Sequence, residues 1–479
     1  MTNLTILQLN DLHGYVEPHS ELRRDAHGDF QFAQMGGLAR IKTLFDQARQ
    51  ENPGGVIALD NGDTFHGTHF AVQDRARAMV PLINALGFDA MTLHWEFAYG
   101  PERVAEISSE LAHPMLAANI FCEDSSELFM PPSTIIERNG VRVGIVGLAC
   151  PIVDKTMPPS FSKGLRFVTG NAELPGHIAR LRQDADLIVV LSHLGFPQDV
   201  QLAKDVAGID VIVSGHTHNR MENAVVVNGA IIFQSGCHGS YVGRLDLDVS
   251  ENRIQGWRHR LIPVDDSVAS DPGLADAVAA ALASERQSMS EVVGHTDVAL
   301  HRYAMLNSPM DDLLLEAVAE AAGTPIAFSN GWRYGAPIAP GPIMMNDLWN
   351  MVPVDPPVSV VDVTGWEIRE MLEENLERTF ASDPYEQMGG YIKRMRGVRL
   401  VFKAENDKGR RIDRLYIDGA QIEESARYTA AFITAQGVPA KFGANRRKLP
   451  ISAIEALRRR LARPWGGAED AESSSTELI

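Results

Sequence analysis

Five short stretches of this chain close apolar runs with an Asp, a His or both. They are Asp11-Leu12-His13, Gly62-Asp63, His94-Trp95-Glu96, Ser192-His193 and Gly215-His216-Thr217-His218. Among the runs that precede them are Leu4–Leu9, Val56–Leu59, Leu187–Leu191 and Val211–Val213, short and mostly β-branched, as buried strands are. On extended backbone, Asp-x-His and His-x-His put both side chains on one side of the pleat. Between the strands lie helical patterns: Leu38, Ile41, Leu44, Phe45 and Ala48 share one face, after a Gly36-Gly37 start. Strands that end in polar loops, with helices between them, are how α/β enzymes build active sites. A lone His is usually packed or solvated, but five such strand ends between residues 11 and 218 are not explained by packing. Carboxylate plus imidazole is a donor set for Mn, Fe or Zn, whereas oxygen alone suits Mg or Ca. The pattern predicts a metal centre.

At 479 residues the chain exceeds one compact core. The first domain is expected over 1–265 and a helical connector over 266–290, centred on the Ala-rich stretch from Asp271 to Met289. A second domain is expected over 291–465, with helices over 311–322 and 366–379 and strands over 326–328, 398–403, 414–417 and 428–433. Residues 466–479 are Gly, Ala, Ser and acid, and are expected to be disordered. Forty-four basic against 62 acidic residues leave a formal charge of −18, which disfavours a nucleic-acid partner. No apolar run approaches the roughly 18 residues of a membrane span. Three scattered cysteines encode no disulfide framework. The chain as written is expected in the cytoplasm, or in the periplasm if a leader has been removed. No protein partner can be inferred. No Gly-rich loop followed by Lys-Ser or Lys-Thr appears, so ATP-driven chemistry is not indicated.

The order Asp-x-His, Gly-Asp, Glu-containing loop, His, Gly-His-x-His resembles the calcineurin-like metallophosphoesterases, and Asn10-Asp11-Leu12-His13-Gly14 resembles their 5′-nucleotidase family. Phe328-Ser329-Asn330-Gly331-Trp332-Arg333 and Gly341-Pro342-Ile343 are similar to that family's C-terminal segments. The resemblance implies a four-layer αββα sandwich followed by a C-terminal α/β substrate domain. It implies two divalent ions, manganese first with zinc or iron as alternatives. Asp11, His13, Asp63 and His218 would hold one ion. Asp63 would bridge to the other, completed by His193, His216 and His94. Two ions about 3.5–4 Å apart can activate a shared hydroxide for in-line attack on phosphorus. Arg333 would hold the phosphate through its planar fork. The implied substrate is a small phosphate compound, a nucleotide by resemblance.

One loop departs from the family. Where the family reads Gly-Asn-His-Glu-Phe-Asp, this chain has Leu93-His94-Trp95-Glu96-Phe97-Ala98. With Glu-Phe in register, His94 takes a ligand place, Trp95 replaces the catalytic His and Ala98 replaces its Asp partner. A one-residue slip would instead make His94 the acid. A His-Trp-Glu-Phe loop resembles the thiosulfohydrolase branch of the Sox sulfur-oxidising system, which releases sulfate from a carrier-bound sulfur chain. A third reading is a metal-binding protein that has lost catalysis. For base recognition, Tyr391 in Gly389-Gly390-Tyr391 and Phe442 are the candidate aromatics, with Asn330 a further candidate substrate-binding residue. Core packing is the alternative for both rings. His66 and His69 are expected to be solvated or to line the pocket, Cys237-His238 to form a structural turn, and Arg458-Arg459-Arg460 to be a solvated helix face.

Overall fold

In the strands of the first domain, successive residues serve two different cores. Ile145, Val189, Leu191 and Val213 join Leu4, Ile6, Ile57, Leu59, Leu245 and Leu247 in one buried cluster. Their strand neighbours Val146, Ile188, Val190 and Ile212 join Leu174, Ile178, Leu181 and Leu202 in another. That period of two is possible only for a sheet covered on both faces. The computed structural model describes residues 2–24, 27, 29–467 and 475–479. It divides into two units, Met1–Ser284 and Glu285–Ile479.

The first unit holds two sheets face to face. One has the order Arg253–Pro263, Tyr241–Ser250, Thr2–Leu9, Val56–Asp60, Ala90–Met91, in which the last three strands run parallel. The other runs Val225–Val227, Ala230–Phe233, Val211–Ser214, Leu187–Ser192, Val141–Leu148, Ser133–Arg138, with a parallel centre. Helices Leu174–Leu181 and Phe196–Asp205 cover the outer face of this second sheet. Helix Leu38–Glu51 packs against the strand Val56–Asp60 of the first. The order is helix, sheet, sheet, helix, the four-layer sandwich.

The Ala-rich stretch forms two helices, Pro272–Leu282 and Arg286–Met289, rather than one. Asp271 caps the first, its carboxylate accepting the Leu274 N–H at 2.8 Å. Leu274 and Val278 are its buried residues, and it packs on Leu38–Glu51, so this helix is part of the first unit.

In the second unit a five-stranded sheet runs Tyr391–Arg396, Ile326–Gly331, Arg427–Phe432, Pro357–Thr364, Ala444–Ser452. Helices Pro309–Ala322, Gly365–Phe380 and Ala453–Leu461 accompany it. Thr364 and Glu367 close a capping box at the start of Gly365–Phe380. The expected disorder of 466–479 is corrected in part. Thr476–Leu478 is a strand, parallel to Val398–Phe402, and Asn307 grips Thr476 through both its N–H and its carbonyl. Backbone pairing at an open sheet edge orders a segment that has little to bury. Residues 468–474 of that stretch lie outside the described residues. Among the described residues, no helix is long and apolar enough to cross a membrane.

Candidate metal centre

Each strand-end motif leaves the C-terminal end of a parallel strand. Thr2–Leu9 leads to Asp11 and His13, Val56–Asp60 to Asp63, Ala90–Met91 to His94, Leu187–Ser192 to His193, and Val211–Ser214 to His216 and His218. Clefts at such ends are the usual ligand sites of open α/β sheets. The backbone has to turn sharply there. Asp11, His13, Asp63, His216 and His218 all take positive φ, between 51° and 75°. Non-glycine residues seldom adopt that region, and strained backbone of this kind gathers at functional sites. Gly62, at φ 84°, lets the Asp63 loop approach, since a Cβ there would sit 2.6 Å from the Thr92 carbonyl oxygen.

Two groups of donors converge. Asp11, His13, Asp63 and His218 form one, and Asp63, His94, His193 and His216 the other, with Asp63 common to both. The Asp63 carboxylate lies 3.0 Å from His94 Nδ1, 3.2 Å from His193 Nε2 and 3.7 Å from His13 Nε2. His218 Nε2 lies 3.2 Å from both Asp11 Oδ1 and His13 Nε2. The ring orientations follow from the partners. His13 Nδ1 donates to the His66 carbonyl at 3.1 Å and His193 Nδ1 to the Asn61 carbonyl at 2.6 Å, which turns Nε2 of each ring toward the cluster. Against burial, Asp63 and Asp11 raise His193 to about 9, so a bound ion would replace a proton on its Nε2. Lone pairs and carboxylate oxygens aimed at common points are what divalent ions require, and the residues fit them.

Electrostatics agree with a cation-hungry site. Burial alone would raise Asp63, but the His94 and His193 imidazoles prevail and hold it well below the usual carboxylate range. Burial lowers His13 to about 4, so it is neutral and able to ligate at neutral pH.

Around the ligands sits a supporting frame that the sequence reading did not single out. Asn61 donates to the carbonyls of Ser192 and Val213 and accepts from Gln8, tying the strand ends of both sheets together. The Glu96 carboxylate accepts from the N–H groups of His94 and Thr64, at 2.7 and 2.8 Å. Asp60 accepts from the Gly62 N–H and the Thr64 hydroxyl, and burial raises it to about 7. The available signal was their position, one to three residues from a ligand, in loops with no solvent to satisfy them.

Trp95 is half-buried. Its backbone N–H donates to Asp63 Oδ1 at 2.7 Å, and its indole stacks on His66 with centroids 4.8 Å apart. His66 is thus buried under Trp95 rather than solvated. His238 is also buried.

In the second unit, Arg333 and Arg394 lie over the Tyr391 ring, at 6.0 and 5.2 Å from its centroid. The Asn330 side chain donates to Gln436 and accepts from Thr434, both at 2.9 Å, so it braces the 434–437 loop. Phe442 belongs to the unit's hydrophobic core, at 6% exposure.

The 5′-nucleotidase C-terminal domain family matches residues 292–434. The trifunctional nucleotide phosphoesterase protein YfkN of Bacillus subtilis is 26% identical over 86% of this chain, although the chain spans 30% of that protein's length. A probable 5′-nucleotidase of Treponema pallidum is 26% identical, covering 89% of this chain and 84% of that protein. The solved sulfate thiohydrolase SoxB of Thermus thermophilus shares the fold, with a TM-score of 0.92 at 24% identity over 100% of this chain and 97% of that one. The chain is therefore similar to the 5′-nucleotidases over most of its length, shares the fold of its solved neighbours, and carries a match to the 5′-nucleotidase C-terminal domain family over residues 292–434.

Proposed function

We propose that the protein is a binuclear metal-dependent phosphoesterase acting on nucleotides or related phosphate esters and anhydrides. The observation that carries this reading is the pair of donor groups meeting at Asp63. Two divalent ions, manganese first in view of the mixed imidazole and carboxylate donors, would supply Lewis acidity and an activated water at neutral pH. Asp63 would hold both ions and offset their repulsion. Asp11, His13 and His218 would complete one site, and His94, His193 and His216 the other. The His66 and Asn61 carbonyls keep the His13 and His193 rings turned to present Nε2. Arg333 would grip the oxyanion of the substrate, beside Tyr391.

A second reading, sulfate release from a sulfur-bound carrier, is favoured by one feature, Trp95 in the place of a catalytic His with Ala98 beside it. Manganese-loaded protein should be assayed against nucleoside mono- and diphosphates, sugar phosphates and a carrier-bound thiosulfonate. Phosphate release from nucleotides supports the first reading. Sulfate release alone moves the assignment to the second.

A further inference from the structure

Among the described residues, one further group of metal-type donors comes together outside the seven side chains of the pair. His19, Glu21 and His238 each offer one atom, all within 4.8 Å of one another. They come from distant parts of the first unit, the strand Pro18–Arg24 and the loop before Tyr241–Ser250. We propose that His19, Glu21 and His238 form a third, mononuclear cation site beside the binuclear pair, suited to ions that prefer nitrogen donors, such as Zn²⁺ or Co²⁺.

Three observations support it. The His238 ring is fully buried and its Nε2 has no hydrogen-bond partner, an arrangement that packing alone does not reward. Its other nitrogen, Nδ1, lies 3.6 Å from Cys237 Sγ. A proton on Nδ1 shared with that sulfur leaves the lone pair on Nε2, the form a ligand needs. The third observation is the support beneath the donors. The Ser240 hydroxyl donates to Glu21 Oε2 at 2.9 Å, and His19 Nε2 lies 3.2 Å from Ser240 Oγ. The Tyr15 ring packs at a tilt against both imidazoles, with centroids 4.7 and 4.5 Å away, which holds the rings in place.

The charge balance sets the ion type. Arg220 pairs with Glu21 Oε1 at 2.8 Å, so the carboxylate is already partly compensated. A hard ion bound mainly by charge, Ca²⁺ or Mg²⁺, gains little there. An ion that bonds strongly to two imidazoles gains more. The site shares no ligand with the pair, although the His238 N–H donates to the Asp11 carbonyl at 2.7 Å and so joins the two neighbourhoods.

Metal content is the test, read by mass spectrometry after equilibrium dialysis against Zn²⁺. The full chain and Asp63→Ala are each compared with the same protein carrying His238→Ala. In the Asp63→Ala background one ion per chain should remain, and His238→Ala should remove it. Because His238 sits at φ 59°, Ala there adds backbone strain. His19→Ala, in a regular strand, is therefore the second variant and should lose the same ion. Co²⁺ bound to Asp63→Ala should show the visible d–d bands of a low-coordinate nitrogen site, absent after His19→Ala. No difference in metal content for either His variant overturns the proposal, whether or not Asp63→Ala empties the pair.

Discussion

Asp63 is the residue on which the pair depends, because its carboxylate belongs to both donor groups. Asp63→Ala should release both ions of the pair, whereas His218→Ala should empty mainly one. Double occupancy of the pair in Asp63→Ala, measured by metal analysis, would refute the bridge. Trp95 sets a second expectation. A positioned acid contributes about 10²–10⁴ in rate by protonating the leaving oxygen, and indole cannot deliver a proton. The enzyme should favour leaving groups that need no protonation, such as phosphoanhydrides or sulfur-linked groups, over simple alkoxides. A series of aryl phosphates of graded leaving-group pKa should show a steep dependence that flattens in Trp95→His with Ala98→Asp. A flat series in the natural protein would mean that another group, with His66 stacked under the indole as the first candidate, supplies the proton. Arg333→Lys should cut kcat/KM for the best substrate by tenfold or more, since an ammonium cannot reproduce the fork. An unchanged value would remove Arg333 from the substrate's contacts.

At the scale of elements, the site is held by what joins strand ends. The Asn61 side chain meets Gln8, Ser192 and Val213, from three strands or strand ends of two sheets, and all are buried. Leaving such groups unsatisfied costs about 1–3 kcal/mol each. Asn61→Ala should destabilise the protein by several kcal/mol in urea unfolding, with fold and secondary structure retained. A loss below about 0.5 kcal/mol, the size of an ordinary surface change, would show that the strand ends are held elsewhere. The sequence legibly marked Pro309–Ala322, Gly365–Phe380 and the strands Val398–Phe402 and Arg427–Phe432, through apolar periodicity and clear turn residues. It did not mark Pro357–Thr364, Tyr391–Arg396 or Ala444–Ser452. The last of these is largely exposed and polar, and carries no strand periodicity that composition could reveal.

Across the whole molecule, buried charge makes stability depend on pH. Lys393 is buried, donates to the carbonyls of Gln436 and Gly437, and has its pKa lowered by burial to about 7. Between about pH 7 and the unperturbed value near 10.4, the unfolded chain holds a proton on this amine that the folded chain gives up. Stability from this group is complete above the unfolded value and is lost as pH falls toward 7. Lys393→Met should therefore remove a rise in stability between pH 7 and 10, on the order of a few kcal/mol, seen as flatter thermal melts against pH. Parallel curves for the two proteins would show that Lys393 stays charged. The sequence alone determined the strand–helix alternation and the candidate donor residues with their chain order, because these are local: each motif lies within a few residues of the strand that presents it. The tertiary structure decided that donors from five strand ends meet at Asp63, and that Asn61 and Glu96 brace them. It also decided that His66 lies under Trp95, that Phe442 is core, and that the C-terminal residues pair with Val398–Phe402. These depend on contacts between residues tens to hundreds of positions apart, which local periodicity does not encode.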